Sequence, residues 1–181
     1  VEEKIMKWQQ VLTEMYEKLP QLFEEVLDGL TLDDLHKRPA PDANTIGWLL
    51  WHVARSLDRT VGDVIRGEQV WIKDGYFRKF GREPDPNETG VGHSFEDVAN
   101  LRIPDSQTLL DYFHAVIDIN LKYIAEISED ELDRQFDNSL RPGTTASVHQ
   151  RIAGNIGEHF QHIGQAAYVR GLLKGQGWLG R

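Results

Sequence analysis

The sequence contains no cysteine. Disulfides, cysteine-based zinc fingers, iron–sulfur clusters and a thiol nucleophile are excluded together. No stretch approaches the roughly 18 to 20 consecutive apolar residues that a membrane span requires, so a membrane protein is not expected. The opening Val-Glu-Glu-Lys-Ile is not a signal peptide, and a cytoplasmic location is the default expectation. Basic runs are also missing: 29 Asp and Glu outweigh 20 Lys and Arg, for a formal charge of -9. Proteins that bind nucleic acid displace counterions with a basic face, so no nucleic-acid partner is expected.

What remains is enough for a folded core. Hydrophobic residues make up 40% of the 181, including five Trp and seven Phe, which is too apolar for a disordered chain. The length suits a single domain over 1–181.

Four long helical patterns stand out, and no segment reads as a strand. The first spans about Glu2 to Leu30, with Ile5, Trp8, Leu12, Met15, Leu19, Leu22, Phe23, Val26 and Leu27 spaced by threes and fours. Pro20 within it predicts a kink or two stacked helices. Thr31 can cap a short turn that follows. A second helix starts near Asn44 or Thr45 and runs to about Arg66. Its first half, Ile46 to Ala54, is apolar nearly all round and should be buried on most sides, whereas Leu57, Val61 and Val64 form only a stripe. Residues 67–104 are an irregular connection with room for one short packed helix around Trp71, Tyr76, Phe77 and Phe80; connections this long tend to be functional. The third helix spans about Ser106 to Ile127. Ser128 opens a short capped helix, Arg141 to Thr144 is a turn, and the fourth helix spans about Ala146 to Leu173, before an irregular tail. The pattern is an all-α four-helix bundle with a long connection between helices two and three.

Of the seven histidines, two places carry chemistry. His52 sits between Trp51 and Val53 in the most apolar part of helix two. A buried imidazole needs partners for both ring nitrogens; a metal on one is one solution, and an ordinary hydrogen bond is another. On helix four, Glu158 and His162 are four residues apart and so lie one turn apart on one face, able to clamp one cation. His159 and His162, three apart, form a competing pair. One histidine from helix two and a Glu/His pair from helix four would make three facial ligands with open positions, as a catalytic site requires. Zinc is the first expectation for such an N/O set; nickel, iron and manganese also accept it.

The run Ile46-Gly-Trp-Leu-Leu-Trp-His-Val-Ala-Arg55, the lead-in Thr31-Leu-Asp-Asp-Leu-His-Lys-Arg-Pro39 and the late Glu-x3-His-x-Gly-Gln resemble the DinB/YfiT-like superfamily. The resemblance covers nearly the whole chain. It implies a bundle, often paired as a homodimer, with a divalent metal at its centre. Many members use three histidines; Glu158 in place of the second is similar to the mycothiol-dependent maleylpyruvate isomerase branch. The resemblance thus implies His52, Glu158 and His162 as ligands and gives His159 no slot. It further implies a transferase or isomerase with a small-molecule substrate and a low-molecular-weight thiol as cosubstrate. The alternative is a non-catalytic, metal-binding stress-response bundle or interaction module. Arg55, Arg59 and His93 are candidates for binding an anionic substrate, and no catalytic base is evident.

Overall fold

The computed structural model describes residues 8–175. Four long helices carry the fold: α1 (Trp8–Leu27), α3 (Ile46–Asp63), α7 (Ser106–Glu126) and α9 (Val148–Lys174). Each packs on two others: α3 against α9 and α7, and α1 against α7 and α9. Short helices fill the connections: α2 (Leu32–His36), α4 (Val70–Lys73), α5 (Tyr76–Lys79), α6 (Phe95–Asn100) and α8 (Glu129–Leu132). The expected all-α architecture is observed. Among the described residues no helix is long and apolar enough to cross a membrane.

The helix starts follow from their caps. Thr31 accepts from the Asp34 amide while Asp34 returns the bond, a full capping box. Thr45 accepts from the Trp48 amide and starts α3, and Ser147 with Gln150 starts α9. Helix α1 runs without interruption through Pro20 and ends at Leu27, two residues before Gly29, whose φ of 67° suits a helix-terminating glycine. Ile5 and the tail beyond Gly175 lie outside the described residues.

Three expectations need correcting. A two-stranded antiparallel hairpin, β1 (Gln135–Asp137) with β2 (Thr145–Ser147), lies where no strand was expected. Strands of three residues are too short to show an alternating pattern. The connection between α3 and α7 holds three short helices rather than one. Finally, α3 is buried from Ile46 through Val61, polar residues included. The connection supplies the cover: Arg55 donates to the carbonyls of Asp85, Pro86 and Glu88, and Asp58 accepts from the amides of Val70 and Trp71. A helix that looked half exposed thus becomes the central helix of the molecule. Gly47 permits its close approach, since a Cβ there would lie 2.9 Å from the Leu35 carbonyl and 2.6 Å from Ile103.

Candidate metal centre

Helix α3 presents His52 and α9 presents Glu158 and His162 to one place between the two helices. His52 is 4% exposed and the other two are half-buried. One donor atom from each of the three lies within 4.8 Å of the others, and the cluster is the only such group of three or more found among the described residues. A cation with bonds of about 2.1 Å holds its ligand atoms about 3–3.5 Å apart, so modest side-chain movement would close the set.

The proton inventory at His52 is informative. Its Nδ1 contacts the Thr89 carbonyl, which can only accept, so Nδ1 carries the proton. Its Nε2 lies 2.9 Å from Glu158 Oε1, also an acceptor. At that distance the contact is a hydrogen bond, and a cation shared by the two atoms could take the place of its proton. The hydrogen bond from His52 is the largest cause holding the Glu158 carboxyl down at about 2, and Ser56 Oγ donates to its second oxygen at 3.3 Å. His162 repeats the pattern. Its Nδ1 donates to Gln165 Oε1 at 2.8 Å, leaving Nε2 bare, and its ring stands edge-on to that of His52 at 4.8 Å. A committed Nδ1 and a bare Nε2 are what metal-ligating histidines show.

The surroundings fix His52 in place. Trp48 stacks on its ring at 5.0 Å and 7°, and Trp48 Nε1 donates to His93 Nδ1 at 3.1 Å. Gly90, with φ at 91°, lets the 89–90 backbone pass under these rings; a Cβ would come to 2.8 Å from Trp48. His159 lies elsewhere. It is wholly buried, neither ring nitrogen has a partner, and burial lowers it to about 3, so it is a neutral packing residue.

The three candidates for anion binding separate. Arg55 is itself wholly buried and spends its guanidinium on Asp58, Gln69, Tyr112 and three loop carbonyls. His93 is a stacking and hydrogen-bonding partner of Trp51 and Trp48. Only Arg59 lines the cavity beside His52 and Glu158, a space of about 260 Å³. Sequence reading overlooked the hairpin as part of this site. The turn between its strands adds Asn138, Leu140 and Arg141 to the lining, and Arg151 on α9 adds another.

The DinB superfamily model matches residues 15–166. The chain belongs to the DinB superfamily. A crystal structure described as the conserved protein of locus from Enterococcus faecalis has the same fold as this DinB chain. It matches with a TM-score of 0.82 and 29% identity over 95% of this chain and 100% of that one. No curated protein matches the DinB chain. Family membership accounts for the bundle and agrees with a metal-binding cluster at His52, Glu158 and His162; it does not name a reaction.

Proposed function

We propose that this DinB-superfamily protein is a divalent-metal-dependent transferase or isomerase that uses a low-molecular-weight thiol. His52, Glu158 and His162 hold the metal in this reading, with zinc first among the candidates and nickel, iron or manganese as substitutes. The observation that carries it is the convergence of one ligand atom each from His52, Glu158 and His162 within 4.8 Å of one another, with His52 Nδ1 already committed to the Thr89 carbonyl. A divalent cation at that position would supply the Lewis acidity that lowers the pKa of an incoming thiol. The side chains present do the rest. Thr89 and Gln165 engage Nδ1 of each imidazole, so that Nε2 is the nitrogen turned to the cluster. Ser56 orients the carboxylate, and the adjoining cavity leaves room for a guest on one side. The absence of cysteine fits a thiol that arrives as a second substrate, and the similarity of Glu158 to the mycothiol-dependent branch supports the same choice. A homodimer in the cytoplasm is part of this proposal on family grounds.

Elemental analysis of purified protein beside His52→Ala and Glu158→Gln tests the ligands. About one metal per chain in the wild type and a loss in both variants is expected; unchanged metal in His52→Ala removes the assignment. A turnover screen of the metal-loaded protein with mycothiol, bacillithiol and glutathione and several electrophiles tests the reaction. Inactivity throughout, with the metal in place, favours the non-catalytic metal-binding bundle. Sedimentation velocity tests the dimer.

A further inference from the structure

Arg59 is 7% exposed, yet its Nε and Nη1 meet neither solvent nor any protein acceptor. Among the described residues no carboxylate pairs with it directly. That is an expensive way to keep a cation, because a buried guanidinium is tolerated when its donors are matched. What sets Arg59 apart is the lack of an ion-pair partner: Arg55 is matched to Asp58, and Arg151, although its Nη1 is also without a partner, holds Asp63 at 3.2 Å. Burial and the neighbouring Arg151 charge depress Arg59 to about 10, so it is still a cation at neutral pH. The unmatched group lines the cavity that also contains His52 and Glu158.

Two further cations line the same space. Arg151 comes from α9, its guanidinium laid over the Phe136 ring at 4.9 Å, and exposed Arg141 comes from the hairpin turn. In a chain of net charge -9, this cavity is lined by three arginines against the single carboxylate of Glu158, with Asp63 paired to Arg151 beside it. At about 260 Å³ the cavity has space for roughly eight waters at about 30 Å³ each, the size of a small organic acid. A planar guanidinium with adjacent N–H groups free matches a carboxylate in bidentate fashion.

We propose that Arg59, assisted by Arg141 and Arg151, receives the carboxylate of a small organic acid whose other end faces the His52–Glu158–His162 cluster. The second half of that statement rests on the metal reading above; the first half does not. The substrate class is thereby narrowed to small carboxylic acids, and thiols such as glutathione can qualify only by presenting a carboxylate to Arg59.

Thermal unfolding of the full chain, metal-free and zinc-loaded, at matched ionic strength with succinate, phosphate or chloride is the test. Succinate is expected to raise Tm saturably in both states, and more than phosphate does. Arg59→Gln is expected to lose that protection while its own ligand-free Tm rises by roughly 2–4 °C, because an unmatched buried charge has been removed. A merely structural arginine would move the baseline the other way. Arg59→Lys should retain part of the protection, and Arg141→Ala, at an exposed position, should weaken it without touching the fold. His52→Ala should lose zinc but keep the succinate effect, which separates failure of the metal reading from failure of this one. Succinate protection unchanged in Arg59→Gln, or in Arg141→Ala should the first variant not fold, overturns the proposal. So does equal protection by phosphate, or none by any anion in the wild type.

Discussion

Arg55→Met should unfold far more easily than the wild type. Arg55 and Asp58 are both wholly buried and 3.1 Å apart, and Asp58 also accepts from Tyr112 at 2.8 Å and from the Trp71 amide at 2.7 Å. Burial pushes the Asp58 carboxyl up, while Arg55 and the two amides pull it back. Methionine fills the aliphatic volume but leaves this carboxylate without its cation. Breaking a buried pair from one side costs about 3–5 kcal/mol. The carbonyls of Asp85, Pro86 and Glu88 also lose donors, but they sit on an exposed loop where water can replace the guanidinium. At about 2–4 °C per kcal/mol for a chain of this size, Tm should fall by about 6–20 °C. Arg55→Met with Asp58→Asn should recover part of the loss, a coupling of about 0.5–3 kcal/mol in a double-mutant cycle. Urea unfolding followed by circular dichroism and tryptophan fluorescence measures both. Arg55 also tethers the loop whose Thr89 carbonyl orients His52, so metal affinity should fall about 10–100-fold, as for other lost supporting contacts. A Tm within about 2 °C of the wild type, equivalent to less than about 1 kcal/mol, would refute the reasoning.

Three further outcomes are expected. Gly90→Ala forces a Cβ to 2.8 Å from Trp48 at a φ of 91°, so it should cost about 1–3 kcal/mol and weaken metal binding through the displaced Thr89 carbonyl; titration with zinc reads the second effect. His159→Leu removes two buried, unpartnered ring nitrogens and should raise stability by about 1 kcal/mol with metal content unchanged; a loss of metal would place His159 in the site. Asp34 links α2 to the end of α9 through Lys174 at 2.6 Å, and that hydrogen bond, with those from Thr31, lowers its carboxyl below the ordinary 3.8. A carboxyl lowered on folding stabilises above its unfolded pKa and stops doing so as pH falls through the folded one. The wild type should therefore lose stability below about pH 4 more steeply than Asp34→Asn, as Tm against pH would show.

The sequence made the four long helices legible because each carries enough turns for a 3.6-residue period to show, and because Thr31, Thr45 and Ser147 are caps of the preferred kind. It also brought out Glu158 and His162, since a spacing of four places two side chains on one helix face in any context. Ligand chemistry suggested joining His52 to them, and the family resemblance supplied the assignment, because nothing in a linear spacing of more than a hundred residues says which helices meet. The hairpin was invisible for lack of length. The burial of the polar face of α3 was invisible for a different reason: Asp58 and Arg55 look solvated until the 69–89 segment folds over them, and helical periodicity says nothing of loops that return to cover a helix.

The contrast between Arg55 and Arg59 turns on that cover. Both lie on α3, one turn apart, and as letters they are equivalent. The 85–88 carbonyls, Asp58 and Gln69 close around Arg55, so its charge is spent on holding the connection to the helix. The cover stops short of Arg59, and in its place is a cavity whose remaining walls carry Arg141, Arg151 and the edge of the candidate metal cluster. A protein selected for stability alone would have matched this second guanidinium or replaced it with an apolar side chain, either of which costs less than a buried unmatched cation. Retaining it is rational if the missing partner arrives in solution, and then the stability lost in the free protein is recovered as affinity for that partner. The rise in ligand-free stability expected of Arg59→Gln and the fall expected of Arg55→Met thus have one cause at two positions: the same residue type, buried in both places, acts as a fastener where the chain supplies an anion in contact with it and as a receptor where it does not.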